Sequence, residues 1–388
     1  GHFGEQPFAR ICGGRRLVAH RGRILQGSII RPVRWDLFCR VIDNHGDAGV
    51  CWRLARDLAG HGEAVRLWID DASALSWMAP GGAAGIDVMA WAGASTSTPH
   101  GDVVVEAFGC ELPDAFIAAM AAAAAPPTWI NLEYLSAEAY VERSHGLRSP
   151  RLVEPGAGLD KWFFYPGFTR ATGGLIREPG LKQARLAHDG PAWLAARGWH
   201  ARQGERVVSL FCYDTAPLAD WLGWLVESPT LLLVPPGAPQ RVVQSCKAST
   251  PLPGRLRVLD IPWQTQGDYD RLLWSCDLNF VRGEDSFVRA QWAEVPFIWQ
   301  IYPQHDGAHW AKLDAFLGRF LADTKEGASA SLHALFHSWN GAGDRPAAAP
   351  DLGEWLAHCQ RWSNGLQAQD SLTEQLLAFC RSRRPGCC

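Results

Sequence analysis

The feature that most constrains this chain is an alternation of short apolar runs with segments of helical periodicity, which occurs in two series along the sequence. The apolar runs of the first series are residues 37–42, 64–69, 86–89, 102–107 and 128–132. Those of the second series, after a Gly/Pro-rich passage, are residues 206–211, 230–234, 255–259, 278–281 and 297–301. This alternation predicts two α/β units, each with a parallel sheet covered by helices on both faces.

Beyond about residue 308 the pattern is helical only, apart from an Ala/Gly/Pro-rich loop near 341–350. Two α/β units followed by helices are the layout of the GT-B glycosyltransferase fold, in which two Rossmann-like domains face a central cleft and the last helix returns to the first domain. We predict domains over 35–195 and 196–375, the second with a helical tail, and a terminal tail over 376–388. Ligands are expected beyond the carboxyl ends of the strands.

The first 34 residues carry seven arginines and one acid. Such a basic, acid-poor leader is compatible with a transit peptide, but it lacks an amphipathic run and an initiating Met, and Gly1-His2 resembles the remnant of a cleaved tag. We expect residues 1–34 to lie outside the fold. No stretch of the sequence approaches the roughly 20 consecutive apolar residues of a membrane span.

Eleven cysteines are scattered without a Cys-x-x-Cys pair or a Cys/His cluster at zinc spacing, which favours a reducing compartment, the cytoplasm. The sequence contains no GxGxxG, GxxxxGK[ST], HExxH or GxSxG motif. Dehydrogenase, P-loop, zinc-protease and serine-hydrolase functions are therefore all weakened.

Two carboxylates, Asp43 and Asp47, follow the first apolar run. The structural interpretation makes Asp43 a turn former and Asp47 a helix N-cap. The functional interpretation has equal weight, because both acids follow the first strand and because Gly46 and Gly49 permit a ligand to approach the backbone. The dipole of the following helix favours a negative charge at Asp47, as a base or a cation receptor requires.

A second polar cluster, Arg282-Gly283-Glu284-Asp285-Ser286, connects an apolar run to a helical segment. A helix N-terminus binds anions through its free N–H groups, and Arg282 can bind a phosphate through paired hydrogen bonds. A phosphate would repel Glu284, so we expect this side chain to accept hydrogen bonds from sugar hydroxyl groups. An ordinary helix start, capped by Asp285 or Ser286, is the alternative.

The longest distinctive motifs of the chain are residues 38–47, 52–56 and 276–292, and shorter ones are residues 165–168, 209–213, 268–274 and 301–304. Together they resemble the EarP family, the bacterial protein-arginine rhamnosyltransferases, over roughly residues 35–380. The resemblance implies dTDP-β-L-rhamnose as the donor, an arginine of translation elongation factor P as the acceptor, and inversion at the anomeric carbon. It implies an acceptor-side first domain and a nucleotide-sugar-binding second domain.

The resemblance also implies roles for individual residues. Asp43 and Asp47 correspond to the acidic pair near the acceptor, with Asp47 the better candidate base, and Glu284 corresponds to an essential glutamate. The implied nucleotide-sugar residues are Phe211, Tyr213, Trp263, Gln266, Arg282, Gly283, Asp285 and Ser286. Relatives often carry Phe at the position of Trp263, where the indole ring keeps an aromatic stacking surface.

No metal or other cofactor is expected, because Arg282 and the helix N-terminus supply positive charge to the departing diphosphate. The expected partners are elongation factor P and dTDP-rhamnose, without nucleic acid or membrane, and a monomer is the simpler assumption. Two other functions stay open: a dTDP-sugar glycosyltransferase with a small-molecule or lipid acceptor, and a non-catalytic nucleotide-binding protein.

Overall fold

The computed structural model of the protein describes residues 32–43, 45–95, 98–346 and 350–383. Most of the leader predicted over residues 1–34 therefore lies outside the described residues. Its last residues belong to the first domain, since the backbone N–H of Val33 donates to Glu63 Oε2 at 2.9 Å and the first strand begins at Arg34.

The first domain contains a seven-stranded sheet. Its strands are β1 (Arg34–Cys39), β2 (Ala64–Ile69), β3 (Ile86–Ala90), β4 (Val103–Ala107), β5 (Thr128–Leu132), β6 (Arg148–Pro150) and β7 (Asp160–Phe164). They lie in the order β3-β2-β1-β4-β5-β7-β6, and all pairs are parallel except the antiparallel β6–β7 pair at one edge. Its helices are α1 (Gly46–Gly60), α2 (Leu75–Met78), α3 (Asp114–Ala121) and α4 (Ala139–Ser144).

Two short helices, α5 (Leu181–Leu186) and α6 (Gly190–Ala196), lead into the second domain. Its strands are β8 (Arg206–Leu210), β9 (Thr230–Val234), β10 (Leu256–Asp260), β11 (Leu278–Arg282) and β12 (Phe297–Gln300), all parallel in the order β10-β9-β8-β11-β12. The helices between them are α7 (Leu218–Leu225), α8 (Ala238–Ser249), α9 (Gln266–Trp274) and α10 (Asp285–Ala293). Four helices follow: α11 (Ala308–Phe320), α12 (Glu326–Trp339), α13 (Leu352–Gln367) and α14 (Leu372–Ser382).

The apolar runs predicted the ten strands β1–β5 and β8–β12 and their parallel pairing, with differences in the first sheet. The short antiparallel strand β6 was missed because it contains no apolar run. Strand β1 begins three residues before the predicted residue 37 because its polar Asp36 is fully buried, where it accepts two hydrogen bonds of 2.7 Å from Arg66. Strand β7 was missed because it opens with the charged pair Asp160-Lys161. Lys161 is accommodated in the sheet by an ion pair with Glu106 on β4, at 2.8 Å.

The predicted domain limits differ from the packing at both ends of the second domain. Leu194 of α6 and the following Trp199 are buried against Val207 of β8, so residues from 190 onward pack with the second sheet, earlier than the predicted residue 196. At the other end, the tail predicted over 376–388 is helical as far as Ser382.

Helix α14 returns the chain to the first domain, as expected of the fold. Its start is fixed by a capping box, in which Ser371 and Glu374 each accept a hydrogen bond from the other's backbone N–H. Its apolar face, including Leu376 and Leu377, is buried in the core of the first sheet. The helix therefore holds the C-terminal part of the chain to the N-terminal domain.

We expect Leu376→Ala to destabilise the protein by about 2–5 kcal/mol, because this side chain is fully buried and its removal leaves a cavity. The matched control is Leu356→Ala on α13, where the leucine is 37% exposed and the cost should stay near or below ~1 kcal/mol. Chemical denaturation of both purified variants measures the difference. Equal losses would contradict the packing of α14 on the first domain.

Candidate active site

The cleft between the two domains lies at the carboxyl ends of both sheets. Asp43, which follows β1, meets Gly283, which follows β11, there. The phenol of Tyr213, just after β8, donates to Asp43 Oδ2 across the cleft at 2.8 Å. The loops that carry the sequence-predicted residues are therefore in direct contact across the domain boundary.

The cleft has two compartments, which share Asp43 and Gly46. The aromatic compartment, with a volume of about 670 Å³, is lined by residues that include Trp77, Phe211, Trp263, Gln266, Arg282, Asp285 and Ser286. The acidic compartment, with a volume of about 1000 Å³, is lined by residues that include Asp47, Tyr134, Gly283, Glu284, Tyr302 and Lys312.

Asp47 is the second residue of α1 and is only 2% exposed. Its Oδ2 accepts hydrogen bonds from the backbone N–H groups of Ile42 and Asp43, at 2.8 and 2.9 Å. Its Oδ1 accepts a weaker bond from the Tyr134 hydroxyl at 3.3 Å. The predicted N-cap role is wrong, since the cap position is His45 and has no side-chain cap bond. The backbone bonds instead fix the Asp47 carboxylate at the wall of the acidic compartment.

Asp43 forms the predicted turn, because its carbonyl oxygen accepts from the backbone N–H of Gly46 at 2.6 Å. Its side chain has a further role at the junction of the compartments. Oδ2 accepts from Tyr213, whereas Oδ1 is buried without a hydrogen-bond partner among the described residues and lies 3.6 Å from Arg282 Nη1. Burial raises the pKa of Asp43, against the opposing influence of Arg282 and Tyr213.

Gly46, Gly49 and Gly283 each lie against the carboxylate of an aspartate. Gly46 and Gly49 were predicted to let a ligand approach the backbone, but the space beside them is occupied by these carboxylates. Gly283 has a φ of +61°, and a Cβ there would lie 2.8 Å from Asp43 Oδ2. A Cβ on Gly46 would lie 2.7 Å from the same oxygen. At Gly49, the nearest atom to a Cβ would be Asp285 Oδ2 at 3.3 Å, which shows that this glycine permits close packing of α1 on α10.

Arg282 is 8% exposed and faces the aromatic compartment. Its guanidinium carbon lies 4.7 Å from the ring centroid of Phe211 and 4.4 Å from that of Tyr213. Its Nε is buried without a hydrogen-bond partner among the described residues. The Arg282 guanidinium therefore contacts two aromatic rings and one carboxylate, Asp43, and its Nε–H is free to donate a hydrogen bond. Such a cation can bind an anionic ligand.

Glu284 reaches across the domain boundary, where its Oε2 accepts from the backbone N–H of Leu135 at 2.9 Å. Burial raises the pKa of Glu284 to about 8; the nearby Asp47 adds to the shift, whereas the Leu135 hydrogen bond and Lys312 oppose it. At neutral pH the glutamate is therefore largely protonated. It can donate a hydrogen bond as well as accept one.

The start of α10 does not follow the predicted capping. Glu284 occupies the cap position without a side-chain cap bond, so capping by Asp285 or Ser286 is wrong. The Ser286 hydroxyl exchanges hydrogen bonds with the backbone of Arg282, donating to its carbonyl oxygen and accepting from its N–H. The Asp285 carboxylate accepts from Arg53 Nε at 2.6 Å, across the domain boundary.

The aromatic compartment is built by both domains. The indoles of Trp77 and Trp263 stack with centroids 4.4 Å apart, and the ring of His45 contacts both edge-on. Gln266 donates to the carbonyl oxygen of Gly49 at 2.8 Å, while its Oε1 is buried without a hydrogen-bond partner among the described residues. Gln266 therefore keeps an acceptor available beside two stacked rings.

Sequence reasoning missed the charged cluster behind this cleft. Arg53 of α1 contacts Asp270 Oδ1 at 3.0 Å and Glu178 Oε1 at 3.4 Å, in addition to Asp285. Arg289 of α10 contacts the same two acids, Asp270 at 2.8 Å and Glu178 at 2.6 Å. The only sequence signal is that Arg53 and Arg289 fall on the apolar faces of their helices, where a buried charge needs a partner.

The chain matches the family described as Elongation-Factor P (EF-P) rhamnosyltransferase EarP over residues 35–381. It belongs to the EarP family. A protein-arginine rhamnosyltransferase of Pseudomonas putida is 44% identical over 375 residues, 90% of this chain and 98% of the relative. One of Pseudomonas aeruginosa is 41% identical over 372 residues, 89% of this chain and 98% of the relative.

A solved structure, described as the structural basis for EarP-mediated arginine glycosylation of translation elongation factor EF-P, superposes with a TM-score of 0.63 at 34% identity. It covers 91% of this chain and 100% of that chain. The protein is thus a glycosyltransferase of the EarP family with the two-domain GT-B fold. Within the described part of the chain, no helix combines the length and apolarity needed to cross a membrane.

We expect Gly283→Ala to destabilise this EarP-family protein more than a backbone-matched control. An alanine at a φ of +61° is strained, and its Cβ would also collide with the Asp43 carboxylate. Gly62→Ala is the control, because Gly62 has a φ of +86° but open space around its Cβ position. Thermal and chemical unfolding should show about 1–3 kcal/mol more loss for Gly283→Ala. Equal losses would contradict the packing of Gly283 against Asp43.

The raised pKa of Glu284 predicts a specific pH dependence of stability. Between about pH 4.5 and 8 the native state keeps a proton that the unfolded chain has released, so the stability contributed by this group falls as the pH rises. Glu284→Gln keeps an oxygen for Leu135 but does not titrate. Urea denaturation measures the unfolding free energy at about pH 5.5 and 8. Its decrease between these two pH values should be smaller for the variant than for the parent. The same loss in both proteins would refute the raised pKa.

Proposed function

We propose that the protein transfers L-rhamnose from dTDP-β-L-rhamnose to an arginine side chain of translation elongation factor P, with inversion at the anomeric carbon. The observation that carries this proposal is the acidic compartment, which is lined by Asp43, Asp47 and Glu284 and shares Asp43 and Gly46 with the aromatic compartment. The names of the protein-arginine rhamnosyltransferases that it resembles support the same reaction.

In this proposal the two compartments divide the substrates between them. The thymine base enters the aromatic compartment, beside Trp263 and the free Oε1 of Gln266, and the diphosphate lies against Arg282. The arginine of the acceptor enters the acidic compartment, where a carboxylate can bind its planar guanidinium group through two parallel hydrogen bonds. The sugar lies between them, near Asp43.

Arg282 changes partner in the proposed reaction. In the free protein it lies 3.6 Å from Asp43 and opposes the effect of burial on the pKa of that carboxyl. A diphosphate in the aromatic compartment attracts the guanidinium more strongly than one carboxylate does. Asp43 then loses its counter-charge just as the cationic arginine of the acceptor arrives to replace it.

The chemical step needs a base that acts late. A guanidinium group has a pKa above ~12 and no free lone pair at neutral pH, so a carboxylate cannot deprotonate it beforehand. The C–O bond to the diphosphate breaks with both electrons going to dTDP. As the new C–N bond forms, Asp47 takes the proton that the nitrogen loses. Arg282 and the start of α10 stabilise the departing diphosphate, so this scheme needs no metal.

Glu284 and Asp285 have supporting roles in this scheme. Glu284, protonated in the free protein, donates to or accepts from sugar hydroxyl groups while its other oxygen stays bound to Leu135. Asp285 contributes by holding α10 to Arg53. We assign the reaction to a monomer in the cytoplasm, the compartment favoured by the scattered cysteines of the sequence.

We expect Asp47→Asn to reduce transfer by about 10²–10⁴-fold while leaving dTDP affinity nearly unchanged, because the lesion affects the acceptor and not the donor. The protein is incubated with dTDP-rhamnose and elongation factor P, and the intact mass of the acceptor is measured. The parent should add one deoxyhexose. Calorimetry with dTDP provides the binding control for the variant.

The outcomes of this experiment separate the alternatives. Near-normal turnover by Asp47→Asn would refute its role as the base. Binding of dTDP by the parent without modification of elongation factor P would favour a small-molecule or lipid acceptor, or a non-catalytic nucleotide-binding protein. Failure of the parent to bind dTDP would refute the donor assignment itself.

A further inference from the structure

We propose a divalent-cation site on the surface of the second domain, formed by Asp314 of α11 with His333 and His337 of α12. None of these residues lines either compartment of the cleft. The site does not depend on the proposed transferase function. It departs from the expectation of no metal, which was based on the positive charge at the departing diphosphate and on the absence of a Cys/His cluster at zinc spacing along the sequence.

The ligand atoms of the three side chains lie close together. Asp314 Oδ1 lies 2.7 Å from His337 Nε2 and 3.5 Å from His333 Nε2, and ligand atoms of all three residues lie within 4.8 Å of one another. Tetrahedral zinc with bonds of about 2.0–2.1 Å requires ligand atoms about 3.3 Å apart. Small side-chain rotations would therefore fit a cation between them.

The two imidazoles are arranged in advance by their position on α12. His333 and His337 are four residues apart, so they share one face of the helix. Their rings stack with centroids 4.3 Å apart and an interplanar angle of 15°. The indole of Trp310, on α11, also stacks on His337, with ring centroids 5.5 Å apart. This packing limits the rotation of His337 and directs its Nε2 toward Asp314.

Charge and exposure also favour a cation here. Two imidazole nitrogens and one carboxylate suit borderline divalent ions such as Zn²⁺, Ni²⁺ or Co²⁺ better than Mg²⁺ or Ca²⁺, which prefer oxygen ligands. The side chains of Asp314 and His333 are 54% and 50% exposed, so solvent can supply the remaining ligand positions. A shared carboxylate oxygen alone cannot accept ideal hydrogen bonds from both rings at these distances, whereas a cation can bind all three residues.

Such an ion would link α11 to α12 across the turn between them. A ligand that binds only the native state raises the unfolding temperature, and the stabilisation grows with the logarithm of its concentration relative to its Kd. The structure therefore assigns a zinc-class site that stabilises the helical part of the second domain, with a readout separate from catalysis.

The test uses the full chain, freed of metal with a chelator and then titrated with Zn²⁺ in a calorimeter, with the visible absorption of Co²⁺ as a second probe. We expect one ion per chain and a higher thermal midpoint with zinc. His333→Ala and His337→Ala should each weaken binding by at least about 10-fold, and Asp314→Asn should weaken it as well.

The matched control is His200→Ala, which removes an exposed histidine elsewhere in the chain and should leave binding unchanged. Thermal unfolding without metal verifies that each variant is folded. No binding by the parent up to about 0.1 mM zinc would overturn the proposal. Binding of equal affinity by the parent and the two histidine variants would also overturn it, since the ion would then lie elsewhere.

Discussion

The interaction on which the rest of the cleft depends is the buried contact of Arg53, on the first domain, with two acids of the second domain and with Glu178, which precedes that domain. Arg53 is 2% exposed and contacts Asp270, Asp285 and Glu178 at once. A buried charge without partners is costly, and removing one member of a buried pair typically costs about 3–5 kcal/mol. Because the partners come from different parts of the chain, the contact requires the two domains to meet in one arrangement.

Arg289 completes this arrangement by sharing Asp270 and Glu178 with Arg53. Burial alone would raise the pKa of Glu178, but the two guanidinium groups outweigh that effect and lower it to about 2. Glu178 therefore stays charged, and the shared acids hold α1 and α10 side by side. The carboxylates at the starts of these helices, Asp47 and Glu284, consequently face the same compartment.

Much of the fold could be predicted from the sequence because local patterns determine it. Apolar runs marked the strands of both sheets wherever the buried residues were apolar. They failed at Asp36 and Lys161, polar residues accommodated within the first sheet by partners distant in the sequence. The sequence leaves the limits of the second domain open for a similar reason, since the faces of α6 and α14 contact sheets that the sequence does not identify.

The sequence by itself determined which groups occupy the cleft, since ligands bind at the strand ends of a parallel sheet. These groups are the acids after β1, the cation that ends β11, and the glycine and glutamate that follow it. Only the tertiary structure decided what each group does. It turned Asp285 toward Arg53, placed Gly283 against Asp43, and raised the pKa of Glu284 by burial. Charge pairing, close approach and desolvation depend on distances between distant residues, and no local pattern contains them.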